Sequence, residues 1–383
     1  MLIHTYSNQD QIIRKGKGLI FSFSGQRHVL SSSVLNGGWH DDLKYVFNFD
    51  EKPDDSKYCE MEENTYEEHL SNIAKKKLEL EPAFCSGLST AADMENMVIE
   101  SSTVTLSNGY PLTITAAVTA GIDQNGARPG DPACWEELDY SYKMLEPGTI
   151  KMQEPDTIKM LQPGTINIFL HINAALTKGT MVRTVITGSE AKAAACSELL
   201  CPSLYSEEIA TGSGTDGMIV ICDPSSPFTL TAAGKDSLLG EMIGTTIMKA
   251  VKKAIGLQTD VTPEYQHNVL KRLDRFGISE ENIYAIYVNN SMSDFLKGRK
   301  TWTKQEFMDK AAPFLSSGYW TGKASFLAHF LDQLAWGMLS MEDGRDLYPL
   351  LFQKECPEKM NKEILLQTFL IEFVDAVRNT EKE

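Results

Sequence analysis

The apolar residues of this chain change period part-way along, and no single type of secondary structure accommodates both halves. From about Gly18 to Asp223 they recur at every second position in short β-branched runs such as GLIFSFS, LKYVFNF, MVIESSTVTL, PLTITAAVTAG, TINIFLHINAAL and GMIVICD, separated by glycine-containing turns. Beyond Leu257 they recur every third or fourth position. In TPEYQHNVLKRLDRFG, Tyr265, Val269, Leu273 and Phe276 form one stripe between a Thr262 cap, Pro263 in the first turn and a Gly277 stop. A period of two builds the face of a sheet and a period near 3.6 builds the stripe of a helix. The expected fold class is therefore α+β: a sheet-rich mixed domain over residues 1–257, then a smaller all-α domain over 258–383.

Two helices are expected inside the sheet-rich part. Thr187–Glu190 spells TGSE, the spacing of a capping box, ahead of the helix-forming EAKAAACSELL; SLLGEMIGTTIMKAVKKAIG reads as a second helix closing near Gly256. In the C-terminal part Thr303 and Glu306 repeat the capping-box spacing, and Trp302, Trp320 and Trp336 are expected to pack.

Between Lys143 and Ile166 one octad occurs three times, KMLEPGTI, KMQEPDTI and KMLQPGTI. Each copy encodes a turn at Pro followed by a short extended segment. Only the third runs on into sustained alternation, with Ile166, Ile168, Leu170, Ile172, Ala174 and Leu176 on one face and Thr165, Asn167, Phe169, His171 and Asn173 on the other. The third copy is thus the expected core strand, and 143–164 a repeat-expanded loop.

Composition removes several function classes. With 52 acidic against 36 basic residues the net charge is −16, and no Lys/Arg-rich run offers a basic face, which opposes nucleic acid as a partner. No stretch is long and apolar enough for a membrane span. The N-terminus has the wrong charge order for a secretory signal, and seven scattered cysteines form neither a CxxC pair nor a disulfide framework, so the expected location is the cytoplasm. HExxH, GxSxG and GxxxxGK[ST] are absent, and the seven histidines are too dispersed to name a metal site.

Chemistry concentrates in a few loops. TGSGTDG carries a GxGxxG at Gly212, Gly214 and Gly217, but its strand follows the glycines instead of preceding them, against a dinucleotide site. Such a loop can still aim backbone amides at an anion, with Thr215 and Asp216 at its mouth. LNGG reads as a hairpin turn or as a loop presenting Asn36. Arg128 and Asp131 sit between glycines after a strand, as a surface ion pair or as site residues. His171 is a structural histidine or a base, and Glu190 has a sufficient role in its cap.

Taken in order, VLSSSVLNGG, FCSGLSTAADMENM, VTAGIDQNGARPGDPA, PGTINIFLHINAALTKGTMVRTVITGSEAKAAACSELL, YSEEIATGSGTDGMIVI and TAAGKDSLLGEMIG resemble the adenosylcobinamide amidohydrolase family of corrinoid salvage, over roughly Gly18–Gly256. The resemblance implies an enzyme hydrolysing the amide that joins a corrin propionyl side chain to aminopropanol, or its phosphate, to give adenosylcobyric acid. Cobalt would arrive within the substrate, so no cofactor is required of the protein. Ser213 stands where the family pattern usually has Thr, and the octads and the region after 257 lie outside it.

On this reading Asp216 activates water or orients the amide, while the TGSGTD amides and Asn36 hold the oxyanion. Thr215 belongs to the catalytic set, and Asn167, His171, Arg128, Asp131, Gly212, Ser213, Gly214 and Glu190 to the substrate-contacting set. Covalent attack by Thr215, Ser31–Ser33 or Cys85 is the competing mechanism. A corrinoid-binding protein without hydrolysis is the competing function, and the C-terminal helices are expected to mediate self-association or partner binding.

Overall fold

The computed structural model describes residues 1–52, 63–138, 141–145, 164–296 and 301–380. The octads fall outside these apart from 143–145 and 164–166. The chain divides into two compact units, Met1–Thr262 and Pro263–Glu383.

In the first unit the alternating runs pair into two sheets. The six-stranded sheet has the spatial order Gly38–His40, His28–Ser31, Gly217–Cys222, Ile166–Ile172, Pro111–Ala120 and Val98–Thr105. Its central strand Ile166–Ile172 is buried at every residue, parallel to Gly217–Cys222 and antiparallel to Pro111–Ala120. The five-stranded sheet runs Leu2–Thr5, Gln11–Lys15, Gly18–Ser22, Tyr45–Asp50 and Cys85–Thr90, with the last two parallel. Parallel neighbours need a crossover connection, and helix Lys178–Glu198 joins Ile166–Ile172 to Gly217–Cys222.

The apolar clusters give the layer order. Ile166, Ile168, Leu170 and Ile172 pack with Met181, Ala195, Ile243, Ile247 and Val251, so helices Lys178–Glu198 and Leu238–Thr259 cover one face of the six-stranded sheet. Its other face meets the five-stranded sheet through Phe169, Ile219, Ile12, Leu19 and Val46, with the Phe21 and Phe169 rings stacked 4.4 Å apart. Ile20 and Phe47 on the outer face lie under Leu70, Ile73 and Ala74 of the segment containing helix Tyr66–Asn72. The result is four layers, helices, sheet, sheet and helix, in keeping with the α+β class.

Several local expectations change. The capping box at Thr187 is not a helix start. Helix Lys178–Glu198 begins ten residues earlier, where Thr177 Oγ1 accepts from the Thr180 amide, and Thr187 donates instead to the Ala233 carbonyl. The first turns, KGTMVRTVIT, are poor in intrinsic helix formers, so packing of Met181 and Thr184 against the sheet decides the matter. The second helix runs past Gly256 to Thr259 and ends on Asp260 with φ 57°.

The helical unit has its own core of Leu273, Ile283, Phe307, Leu327, Phe369 and Phe373. Thr303 and Glu306 form the expected capping box, with both reciprocal bonds made. The single helix expected after Thr262 is instead two short helices, Pro263–Gln266 and Val269–Leu273, and the 3-10 turn Asp274–Phe276, because Asn268 Oδ1 caps the Leu270 amide and restarts the chain. Trp302 and Trp320 are buried, whereas Trp336 is 46% exposed.

Candidate active site

The Gly-rich loop closes on its own carboxylate. Asp216 Oδ1 accepts from the Ile166 amide at 2.9 Å and the Ser213 hydroxyl at 2.6 Å; Oδ2 accepts from the Ser213 amide at 3.0 Å and pairs with the Lys192 ammonium. Both partners are nearly buried, with 11% and 17% of their side chains exposed. A carboxylate has about four acceptor positions, and all four are taken. Gly212 is required here, since a Cβ would press on Asp216 Oδ2 and Lys192 Nζ.

The loop amides are likewise committed. Ser213 N–H goes to Asp216, Gly214 N–H to the Asn125 carbonyl at 3.2 Å, and Thr215 N–H to Ser213 Oγ at 3.3 Å. The expected amide cradle for an oxyanion is therefore absent from residues 213–215. The loop spends its donors on holding its own shape.

That shape forms one wall of a small cleft of about 90 Å³ between the two sheets' strand ends, lined among others by Ser32, Tyr66, Ser89, Asn167, Thr215 and Asp216. Thr215 is exposed; its hydroxyl shares a 2.7 Å hydrogen bond with that of Thr165. The Tyr66 and Ser89 hydroxyls lie 2.5 Å apart, and Ser32 Oγ accepts from the Met218 amide at 2.9 Å. Asn167 is anchored, its amide donating to Asn48 Oδ1 and to the Ser89 carbonyl, while Asn48 donates to Thr119. The cleft thus offers hydroxyls rather than an imidazole or a carboxylate with a free oxygen.

Of the residues expected from sequence, Asp216, Thr215, Ser213, Gly212, Gly214 and Asn167 come together at this cleft or in the loop beside it. Asn36 does not. It adopts φ 45°, and its amide donates to the Pro82 and Cys85 carbonyls at 2.8 and 2.7 Å, which leaves nothing for an oxyanion. Arg128 pairs with Glu208 at 3.0 Å, and Asp131 accepts from the Arg128 amide and the Ser203 hydroxyl; neither lines the cleft, although Ala127 pairs with Gly212 of the loop, and the two do not form the side-chain ion pair with each other. Glu190 stands on the outer surface against Lys235. Asn173 binds the Pro111–Thr113 backbone.

His171 is buried at the other end of the central strand. Its Nε2 meets Asp10 at 3.1 Å and Asn8 at 3.2 Å, and its ring stacks on Tyr6 at 4.0 Å. Arg27 completes the group, bound to Asp10 at 2.8 Å and to Asp223 at 3.4 Å. Burial alone would raise the Asp10 carboxyl, but the His171 and Arg27 hydrogen bonds more than offset it and bring it down to about 2. This network, with His171 among its members, ties the N-terminal strands to the six-stranded sheet.

Among the competing nucleophiles, Ser31 is bonded to Ser86, and Ser33 donates to the Gly87 carbonyl at 2.5 Å. Burial, reinforced by the nearby Glu81, pushes the Cys85 thiol up to about 12. Thr215 and Ser32 remain at the cleft. Lys192, Tyr66, Ser89 and Asn48 were not singled out from sequence. Lys192 alone has a sequence signal, as the lysine of the EAK run in its helix. Among the described residues no group of three His, Cys, Asp or Glu side chains is placed to hold a metal ion, and no helix is long and apolar enough to cross a membrane.

A sequence profile described as Adenosylcobinamide amidohydrolase matches residues 3–263, the extent of the first unit. The chain belongs to the adenosylcobinamide amidohydrolase family. An uncharacterized protein of Methanocaldococcus jannaschii is 32% identical to it over 253 residues, covering 64% of this chain and 88% of that protein. The family match takes in both sheets, the covering helices and the loop carrying Asp216, and the helical unit from Pro263 onward lies outside it except for its first residue. Membership also joins two of the sequence motifs physically: the lysine of the EAK helix and the aspartate of the GSGTD loop are one ion pair beside one cleft.

Proposed function

We propose that this protein hydrolyses the amide linking a corrin propionyl side chain to aminopropanol in adenosylcobinamide or its phosphate, releasing adenosylcobyric acid. The observation that carries this reading is the family match over a unit whose Lys192–Asp216 pair fixes a Gly-rich wall of a polar cleft. A volume near 90 Å³ suits an amide and its short alcohol tail, with the macrocycle resting outside the mouth. Cobalt belongs to that macrocycle and enters as part of the substrate.

Amide hydrolysis needs a nucleophile, oxyanion stabilisation and a proton for the leaving amine. With its four acceptor positions filled, Asp216 serves as a positioning group that orders residues 213–217, rather than as the base. Thr215 and the Tyr66–Ser89 pair face the tail and supply hydroxyl hydrogens to the developing oxyanion and the departing nitrogen. The proton released on attack passes through the Tyr66–Ser89 pair to the departing nitrogen as the C–N bond breaks. The attacking oxygen is that of a water held between the Thr215 and Ser32 hydroxyls. These two hydroxyls are the members of the competing nucleophile set that the local bonding leaves at the cleft.

The second reading, a corrinoid-binding protein without hydrolysis, is favoured by one observation: among the six cleft residues named above none offers a carboxylate or imidazole with an open acceptor. Incubating the purified chain with adenosylcobinamide and measuring free aminopropanol separates the two. Release supports the hydrolase, binding without release supports the second reading, and absence of both rejects each.

A further inference from the structure

The polar cleft is not the only hollow of the first unit. A depression of about 590 Å³ opens at the opposite end of the central strand, between the first turns of helix Lys178–Glu198 and the segment Thr231–Asp236. The seven residues of strand Ile166–Ile172 separate the two ends by about 20 Å. One substrate tail therefore does not reach both, and the hollow has no part in the reaction proposed above.

Its walls favour an anion. Arg183 lines it, exposed, with no acid or carbonyl partner among the described residues. Lys235 lines the same hollow, 2.8 Å from the exposed Glu190. The backbone between them is polarised. The Ala232, Ala233 and Gly234 carbonyls turn away onto the Ser237 and Thr187 hydroxyls, whereas none of the amides of Ala232–Asp236 donates to an acceptor among the described residues.

The loop is also held rigid from behind. A Cβ on Gly240 would collide with the Gly234 carbonyl, so helix Leu238–Thr259 packs directly on it. Each helix start has one amide capped by a side chain, Thr180 by Thr177 and Gly240 by Ser237, and the attraction is assigned to the Arg183 and Lys235 cations and the loop amides. One acid, Asp236, shares the rim. In a chain with a net charge of −16, Arg183 and Lys235 meet Asp236 on the rim and Glu190 beside Lys235, which leaves the Arg183 guanidinium and the unbonded amides of Ala232–Asp236 as the donors open to an anion.

We propose that this hollow binds the phosphoryl group of a small soluble phosphate compound, with the Arg183 guanidinium and the Ala232–Asp236 amides as donors and Lys235 as supporting charge. A volume of several hundred Å³ leaves room for an organic moiety attached to that group.

The test uses the full chain without corrinoid. Phosphorus NMR and calorimetry are run with inorganic phosphate, pyrophosphate and ATP, and flotation with phosphatidic acid vesicles. Saturable binding of a soluble probe, weakened at least about tenfold in Arg183→Glu and largely retained in Arg183→Lys, is expected for a charge-assisted contact. Aminopropanol release should be unchanged in both variants, so failure here stays separate from failure of the hydrolase reading. Should Arg183→Glu not fold, Lys235→Glu takes its place with a smaller loss expected. Soluble probes that do not saturate, binding indifferent to Arg183, or binding to vesicles alone would each overturn the proposal.

Discussion

Replacing Asp216 with Asn tests whether this carboxylate positions the loop or works as a base. Of its four partners, the Ile166 and Ser213 amides and the Lys192 ammonium are donors that cannot reverse, so an Asn amide nitrogen must face at least one of them. The side chains are only 11% and 17% exposed, and removing one member of such a pair leaves the other charge with little water. Breaking a pair of this kind costs about 3–5 kcal/mol. For a unit of this size each kcal/mol lowers the midpoint by about 2–4 °C, so Asp216→Asn should melt about 6–20 °C below the parent. Lys192→Met leaves the carboxylate with three neutral donors and should cost less, about 1–3 kcal/mol.

The assay is thermal unfolding of the full chain, read alongside aminopropanol release well below both midpoints. A positioning pair predicts that both single variants lose turnover, and that the double variant is less impaired than the sum by about 0.5–3 kcal/mol. An Asp216→Asn protein with an unchanged midpoint and abolished turnover, beside an active Lys192→Met, would refute the argument. It would return Asp216 to the role of base.

Two further outcomes follow from buried charge. Hydrogen bonding to Glu51, strengthened by Glu63 and only partly opposed by burial, raises His69 to about 9, and Glu63 falls to about 2 chiefly through its bond to His69. The histidine's contribution to stability is whole below its unfolded value near 6.5 and fades as pH rises through about 9; that of Glu63 is whole above about 4.5 and fades as pH falls through about 2. Stability from this trio should therefore be greatest between about pH 4.5 and 6.5, and a His69→Gln variant should lose the alkaline slope in denaturant titrations at stepped pH. Asp10, lowered to about 2, contributes above its unfolded value near 3.8 and loses that contribution as pH falls toward 2. Asp10→Asn should cost about 3–5 kcal/mol by stranding Arg27 and His171, and a loss under 1 kcal/mol by chemical denaturation would show that Asp223 suffices for Arg27.

The period of the apolar residues carried the sheets and the C-terminal helices, because burial on a known face is a local property of a segment. It also placed Ile166, Ile168, Leu170 and Ile172 together, where helices Lys178–Glu198 and Leu238–Thr259 cover them. Helix starts were less legible. TGSE had the spacing of a capping box, yet KGTMVRTVIT became helical ahead of it, because the burial of Met181, Thr184 and Thr187 outweighed weak propensity. Of the site, the loop and Asp216 were visible as a glycine-spaced motif, while Tyr66 and Ser89 carried no pattern of their own. They reach the cleft only because strand Cys85–Thr90 pairs with Tyr45–Asp50 and helix Tyr66–Asn72 packs beside it.

The odd face of the central strand shows the physical limit most plainly. Asn167, Phe169 and His171 alternate with apolar residues, and polar groups in such a pattern ordinarily point to water or a cleft. Here they point at a second sheet. Alternation reports that a face tolerates polar groups, and it cannot distinguish water from a protein partner that satisfies them equally well. The distinguishing information lies on the partner strands: Asn48 meets Asn167, and Asp10 with Arg27 meets His171, from positions more than one hundred residues earlier in the chain. The two ends of one strand face thereby acquire different work. At Asn167 the sheets part enough for a cleft lined with hydroxyls, and at His171 they are stitched shut by charge. A histidine and an asparagine four residues apart on one face of one strand thus belong to different parts of the molecule, and only the pairing of the N-terminal strands decides which.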